Sequence, residues 1–158
     1  MLVLLDTNVL LRLFDRSDPN YGMVQTALKV LWAQRHQPVI VPQNVIEFWN
    51  VSTRPTSARG GFGQSVAKTR SRLAAIERLC RLLPETPATF PEWKRLVQSH
   101  SIVGVSVHDA RIVAQMQVWQ VPALLTFNIQ DFRRYSHLIV RSPADLAASG
   151  RLTETPSL

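Results

Sequence analysis

One cysteine, Cys80, stands in 158 residues, which excludes an internal disulfide and a cysteine-based zinc site. No apolar run approaches the ~18 residues that span a bilayer, so no membrane association is expected. Residues 1–14 are apolar, but they lack a basic start and carry Asp6 and Arg12, which argues against an export signal. Without disulfide or export signal, the cytoplasm is the expected compartment. Acid is scarce: 11 Asp and Glu face 18 Lys and Arg, and the net charge of +7 suits a polyanionic partner. Glycine is sparse too, and half of it (Gly60, Gly61, Gly63) stands in one stretch. No Ser-His pair, glycine-rich phosphate loop or cysteine nucleophile competes for the chemistry. The length suits one domain with a real core.

What is present begins with Leu2-Val3-Leu4-Leu5, a fully apolar strand that stops on Asp6-Thr7-Asn8. Such a strand belongs to a parallel sheet covered on both faces. Ligands bind at the carboxyl ends of strands in such sheets, where Asp6 stands. Asp6 also suits the N-cap of a helix over 9–14. The spacing predicts an amphipathic helix over 21–35, with Val24, Leu28, Leu31 and Trp32 in the core. Val39-Ile40-Val41 reads as a second strand. Pro42 opens a helix reaching about Val51, apolar on nearly every side, in which the carboxylate of Glu47 is costly unless paired or bound to a cation. Residues 52–65 read as a mobile loop.

A helix is expected over 66–83, with Leu73, Ile76, Cys80 and Leu83 on one stripe, and a short strand at 82–84. Arg54, Arg59, Lys68, Arg70 and Arg72 make this the most basic third of the chain. They form either a solvated face or a surface for phosphates or an acidic partner. An amphipathic helix over 90–100 follows. The next helix puts Asp109 on the stripe of Ile112, Val113 and Met116, with His108 before it as a structural hydrogen-bonder. Val121 to Thr126 is a strand, ending in Phe127-Asn128-Ile129-Gln130-Asp131: hydroxyl, amide and acid again. Ile139-Val140 is expected to be an edge strand. One domain spans 1–142, and 143–158 is a polar C-terminal tail.

Asp6, Glu47, Asp109 and Asp131 thus each follow an apolar segment or open a helix, positions that converge on one edge of a parallel sheet. Clustered carboxylates need protons or a divalent cation. Hard oxygen ligands without Cys or paired His select Mg²⁺ or Mn²⁺ over zinc. A carboxylate-held metal beside a basic surface is a site for phosphodiester hydrolysis.

Leu5-Asp6-Thr7-Asn8, Glu47 in Val45-Ile46-Glu47-Phe48-Trp49, His108-Asp109-Ala110-Arg111 and Leu125 to Phe132 together resemble the PIN domain, nearest the VapC-like toxins of bacterial toxin–antitoxin pairs. The resemblance covers residues 2–140. It implies an α/β fold, helices sandwiching a parallel sheet of four or five strands, and a ribonuclease dependent on Mg²⁺ or Mn²⁺. Asp6, Glu47 and Asp109 would be metal-binding acids. Asn128 and Asp131 fall at a fourth acidic position, with Asp131 favoured. Thr7, Asn8 and Thr126 would orient carboxylates or water. The resemblance also implies RNA as substrate and a small antitoxin as partner; a homodimer through the apolar side of one of the early helices is expected as well. The 52–83 segment is longer than in the smallest members. The rivals are a catalytically silent RNA-binding or protein-interaction module, and a haloacid-dehalogenase-type phosphatase, against which Asn8 stands where a second Asp is needed.

Overall fold

The computed structural model describes residues 1–152. Five strands, β1 (Leu2–Leu5), β2 (Gln37–Ile40), β3 (Arg81–Leu82), β4 (Ala123–Leu125) and β5 (Ile139–Arg141), form one parallel sheet in the order β3-β2-β1-β4-β5. Among the described residues eight helices surround it: α1 (Thr7–Leu13), α2 (Tyr21–Ala33), α3 (Pro42–Thr53), α4 (Val66–Leu79), α5 (Thr89–Ser99), α6 (Ser106–Val118), α7 (Ile129–Phe132) and α8 (Pro143–Ser149). β1 lies in the middle, with Leu4 paired to Val39 on one side and Leu124 on the other. The strand order reverses there, and a crevice opens at such a point.

Period-two alternation builds two cores. Val3 and Leu5 pack with Val9, Leu28, Phe48, Ile76 and Leu146 from α1, α2, α3, α4 and α8. Leu4 and Val39 face the other way, onto Leu96, Ile112 and Met116 from α5 and α6. Each fully buried Leu contributes about 1.5–3 kcal/mol. The result is the expected three-layer α/β/α fold. No described helix is long and apolar enough to cross a membrane.

Several local expectations are corrected. Trp32 is 44% exposed, because Val24, Ala27, Leu28 and Leu31 fill the inward stripe of α2. Trp32 lies about 100° round the helix from Leu31. The helix expected to reach 83 stops at Leu79, and Cys80 is extended (φ −124°, ψ 139°). Cys80 then enters one core and Leu83 the other, as strand alternation requires. A short apolar stretch cannot by itself separate a helical stripe from a strand. α3 is not apolar all round: Ile46 is 63% exposed, while Gln43, Asn44 and Ser52 are buried.

The loop runs from Arg54 to Ser65 and is braced by its own backbone hydrogen bonds rather than open. The chain from 143 is not a tail throughout. The Ser142 hydroxyl accepts from Asp145 N at 3.0 Å and starts α8, which packs on α2 through buried Leu146. Gly150 closes α8 in the left-handed conformation (φ 64°) that glycine adopts freely. The rest of the expected tail, 153–158, lies outside the described residues.

Candidate active site

Asp6 follows β1, and its N–H donates to Leu125 O at 3.0 Å, extending the β1–β4 ladder by one residue. Its side chain, 8% exposed, does two things at once. Oδ1 accepts from Thr7 N at 2.7 Å and caps α1. Oδ2 accepts from Asn8 Nδ2 at 2.8 Å and the Thr126 hydroxyl at 2.6 Å. The capping reading and the site reading therefore describe one carboxylate. Asn8 Oδ1 accepts from Phe127 N at 3.2 Å, and Thr126 Oγ1 from Asn128 N at 2.9 Å. The two hydroxyl–amide stretches past β1 and β4 are interlocked.

Glu47 stands one turn along α3 from Gln43. Its Oε2 accepts from the Thr7 hydroxyl at 2.7 Å and its Oε1 from Gln43 Nε2 at 2.8 Å. The same Gln43 nitrogen donates to His108 O at 3.0 Å, tying α3 to the start of α6. Buried Asn44 donates to Thr7 Oγ1 at 3.3 Å and accepts from Val41 N at 2.9 Å. Asp109, half-buried in the first turn of α6, completes the set. Asp6, Glu47, Asp109 and Asn128 line one cleft of about 280 Å³, with Arg54 in the same wall. Asp131 is exposed on α7 and outside that lining, yet close enough for its charge to act on Asp109. Size does not select this cleft. A hollow of about 590 Å³ beside Arg95 and Gln117 is larger, but its charges are spent on the Glu92–Arg95 ion pair.

Burial pushes the Asp109 carboxyl up to about 6, and the charges of Asp131, Asp6 and Glu47 push the same way. Burial also raises Asp6, against the hydrogen bonds from Thr126 and Thr7 that pull it down. None of the ion pairs among the described residues involves these acids. The donor set is carboxylate oxygen without Cys, which suits a hard divalent cation. A carboxylate has about four acceptor positions. Among the described residues Asp6 uses three and Glu47 two, so both retain lone pairs. As arranged, no three acidic, His or Cys side chains among the described residues form a closed metal cage. The cleft is anionic and open rather than a finished chelate.

Sequence reasoning missed Gln43, Asn44 and Arg12. The i,i+4 spacing of Gln43 and Glu47 was the available signal for the first. Asn44 carries no such signal, because the residue three before it is Val41 rather than a side chain that caps. Arg12 gave none. Its Nη1 donates to Asn8 O at 2.9 Å and its guanidinium lies 4.5 Å from the Phe127 ring centroid, bracing the two interlocked stretches. The basic segment divides. Arg54 reaches the cleft, Arg59, Lys68 and Arg70 are exposed, and Arg72 is half-buried. Hydrogen bonding from Ser17, and further the charge of Arg72, hold Asp15 below its ordinary value.

The Asp109 shift carries a pH signature in EDTA. Between 3.8 and about 6 the native carboxyl holds a proton that the unfolded chain has released. Its contribution to stability is therefore full at low pH and lost as pH rises through about 6. Asp109→Asn removes that titration. The stability gained by the variant over wild type should grow from pH 4 to pH 6.5 and then level off. Denaturant unfolding in EDTA across that range measures it, and a flat difference contradicts the raised Asp109 carboxyl.

The family model described as PIN domain matches residues 3–138. No curated protein matches the chain. Among solved structures, the chain is similar to VapBC2 from Rickettsia felis, bound to a DNA fragment from their promoter (TM-score 0.67, 17% identity, 90% of this chain and 98% of that one). It is similar to VapBC-1 from nontypeable Haemophilus influenzae (TM-score 0.65, 13% identity, 90% and 98%). A third is Mycobacterium tuberculosis VapC20, a sarcin-ricin loop cleaving toxin (TM-score 0.53, 18% identity, 77% and 86%). At these identities the likeness is one of fold.

Proposed function

The chain belongs to the PIN domain family, and from that premise we propose that it is a divalent-metal-dependent endoribonuclease acting as the toxin of a toxin–antitoxin pair. The observation that supports this best is the convergence of Asp6, Glu47 and Asp109 on one cleft with no ion-pair partner among the described residues. The three carboxylates would hold Mg²⁺ or Mn²⁺, and Asp131 or Asn128 would complete the anionic rim. Bound there, the ion supplies the positive charge that offsets the phosphate's and lowers the pKa of the attacking water.

The protein's own part is placement. Thr126, Asn8 and Thr7 fix the Asp6 carboxylate, and Thr7 and Gln43 fix Glu47, so neither rotates when a cation arrives. In the reaction a water oxygen bonds to phosphorus, one ester P–O bond breaks, and the departing oxygen takes a proton. Arg54, Arg59, Lys68, Arg70 and Arg72 would contact RNA phosphates. The similar VapBC structures support a small antitoxin as partner. A homodimer and a cytoplasmic location complete the reading. It is tested by incubating total RNA with the wild type and Asp6→Asn, in Mg²⁺ and in EDTA. Cleavage by the wild type in Mg²⁺ alone supports it. Cleavage that persists in EDTA, or in Asp6→Asn, overturns it, and no cleavage under any condition favours the silent module.

A further inference from the structure

Arg54 is set apart from the other basic residues of its segment. It caps α3, and the chain after it folds back on that helix. Ala58 N donates to Pro55 O, Gly61 N to Ala58 O and Gly63 N to Arg54 O, at 2.9, 3.0 and 2.8 Å. Phe62 N and Gln64 N reach back to Val51 O and Ser52 O at 3.1 and 2.8 Å. This turn delivers the Arg59 carbonyl to Arg54 Nη1 at 3.0 Å. Its tightest point is Gly61, where a Cβ would lie 2.2 Å from Pro55 O and 2.6 Å from Arg54 O. The glycine is there for close backbone approach.

Arg54 is also the one basic residue lining the acid cleft, and it forms no ion pair among the described residues. The carbonyl of Arg59 takes one of its five N–H donors, leaving four. A phosphodiester entering a cleft of three carboxylates leaves it net anionic even with a divalent ion present. A further cation beside the acids is what such a substrate requires, and a guanidinium matches two phosphate oxygens at once.

We propose that Arg54 grips the scissile phosphodiester through its two non-bridging oxygens, and that the 54–63 turn, closed at Gly61, holds the guanidinium in place. This rests on the ribonuclease reading and deepens it. The grip strengthens as charge builds on those oxygens, so Arg54 acts on the reaction step. Exposed Lys68 and Arg70 act on association.

Single-turnover cleavage of total RNA in Mg²⁺ tests this. Arg54→Gln should slow the step about 100-fold with little change in the half-saturating protein concentration. Arg70→Gln should raise the half-saturating concentration and leave the rate at saturation. Arg54→Lys should stay within about tenfold of Arg54→Gln, since lysine lacks the fork. Gly61→Ala should move in the same direction as Arg54→Gln.

A second arm follows the Arg54 guanidinium by nitrogen-15 NMR as a short single-stranded DNA oligonucleotide is added with Mg²⁺. The signal should shift. An Arg54→Gln rate within about threefold of wild type overturns the grip, as does full rescue by lysine, or an unmoved Arg54 signal while Arg70 responds. If the wild type leaves RNA intact yet the Arg54 signal shifts, the grip stands and the ribonuclease reading falls. If RNA is cleaved and Arg54→Gln is indifferent, the reverse holds.

Discussion

Asp6→Ala, Glu47→Ala and Asp109→Ala are each expected to lower Mg²⁺-dependent RNA cleavage by ~100-fold or more, because on the proposed reading each removes a charge that would hold the ion. Their effects on the metal-free fold should differ, and the difference separates a metal site from a structural network. Asp109 is raised to about 6 by burial and by its acidic neighbours, so its alanine variant relieves repulsion and should unfold at the same or a higher temperature in EDTA. Asp6 accepts from Thr7 N, Asn8 Nδ2 and the Thr126 hydroxyl. Removing it strands buried donors at about 1–3 kcal/mol, set against the relief of charge. Asp6→Ala should therefore be the least stable of the three and Asp6→Asn milder. Any of the three that keeps near wild-type cleavage at saturating Mg²⁺ does not carry a ligand.

The second large effect is expected in cells. If the protein is a toxin, its expression alone should stop growth, and Asp6→Ala should restore growth at equal protein level. Co-expression with the small reading frame beside its gene should give a tight, nuclease-inactive complex. The cleft explains how inhibition would work. Asp6, Glu47 and Asp109 form an anionic recess in a chain of net charge +7. An arginine from a partner can pair with such carboxylates bidentately and occupy the space a metal needs. The complex should regain activity when the partner is removed and Mg²⁺ restored. A wild-type chain that is harmless when overexpressed, with no small neighbour that binds it, contradicts the toxin assignment and leaves the nuclease assignment untouched.

The centre of the sheet is legible in the sequence because β1 and β4 are buried on both faces. Leu2 to Leu5 and Ala123 to Leu125 read as unbroken apolar runs, and the polar residues past each run mark where the sheet ends. That grammar locates Asp6, Thr126 and their neighbours without any knowledge of their partners. What is illegible depends on contacts between distant segments. The short strand expected at 82–84 forms at Arg81–Leu82, but Cys80 and Leu83 also fit the stripe of the preceding helix, and only pairing with β2 decides for strand. The amphipathic signal of α8 is too short to separate from a polar tail until Leu146 meets α2. Gln43 and Asn44 look like surface amides of a helix, yet their hydrogen bonds cross to α6 and α1. Arg54 reads as one more basic residue among five. Its distinction comes from a turn whose glycine content suggests mobility but serves a close backbone approach. At the fourth acidic position sequence favours Asp131, whereas Asn128 is the residue that lines the cleft.

The most direct test of one shared divalent-ion site is Mn²⁺ binding without RNA, followed by the loss of the free-ion electron paramagnetic resonance signal. The wild type should take up Mn²⁺, Mg²⁺ should displace it, and Asp6→Asn, Glu47→Gln and Asp109→Asn should each weaken uptake at least about tenfold. Uptake unchanged in all three variants, or none by the wild type at millimolar Mn²⁺, would contradict it.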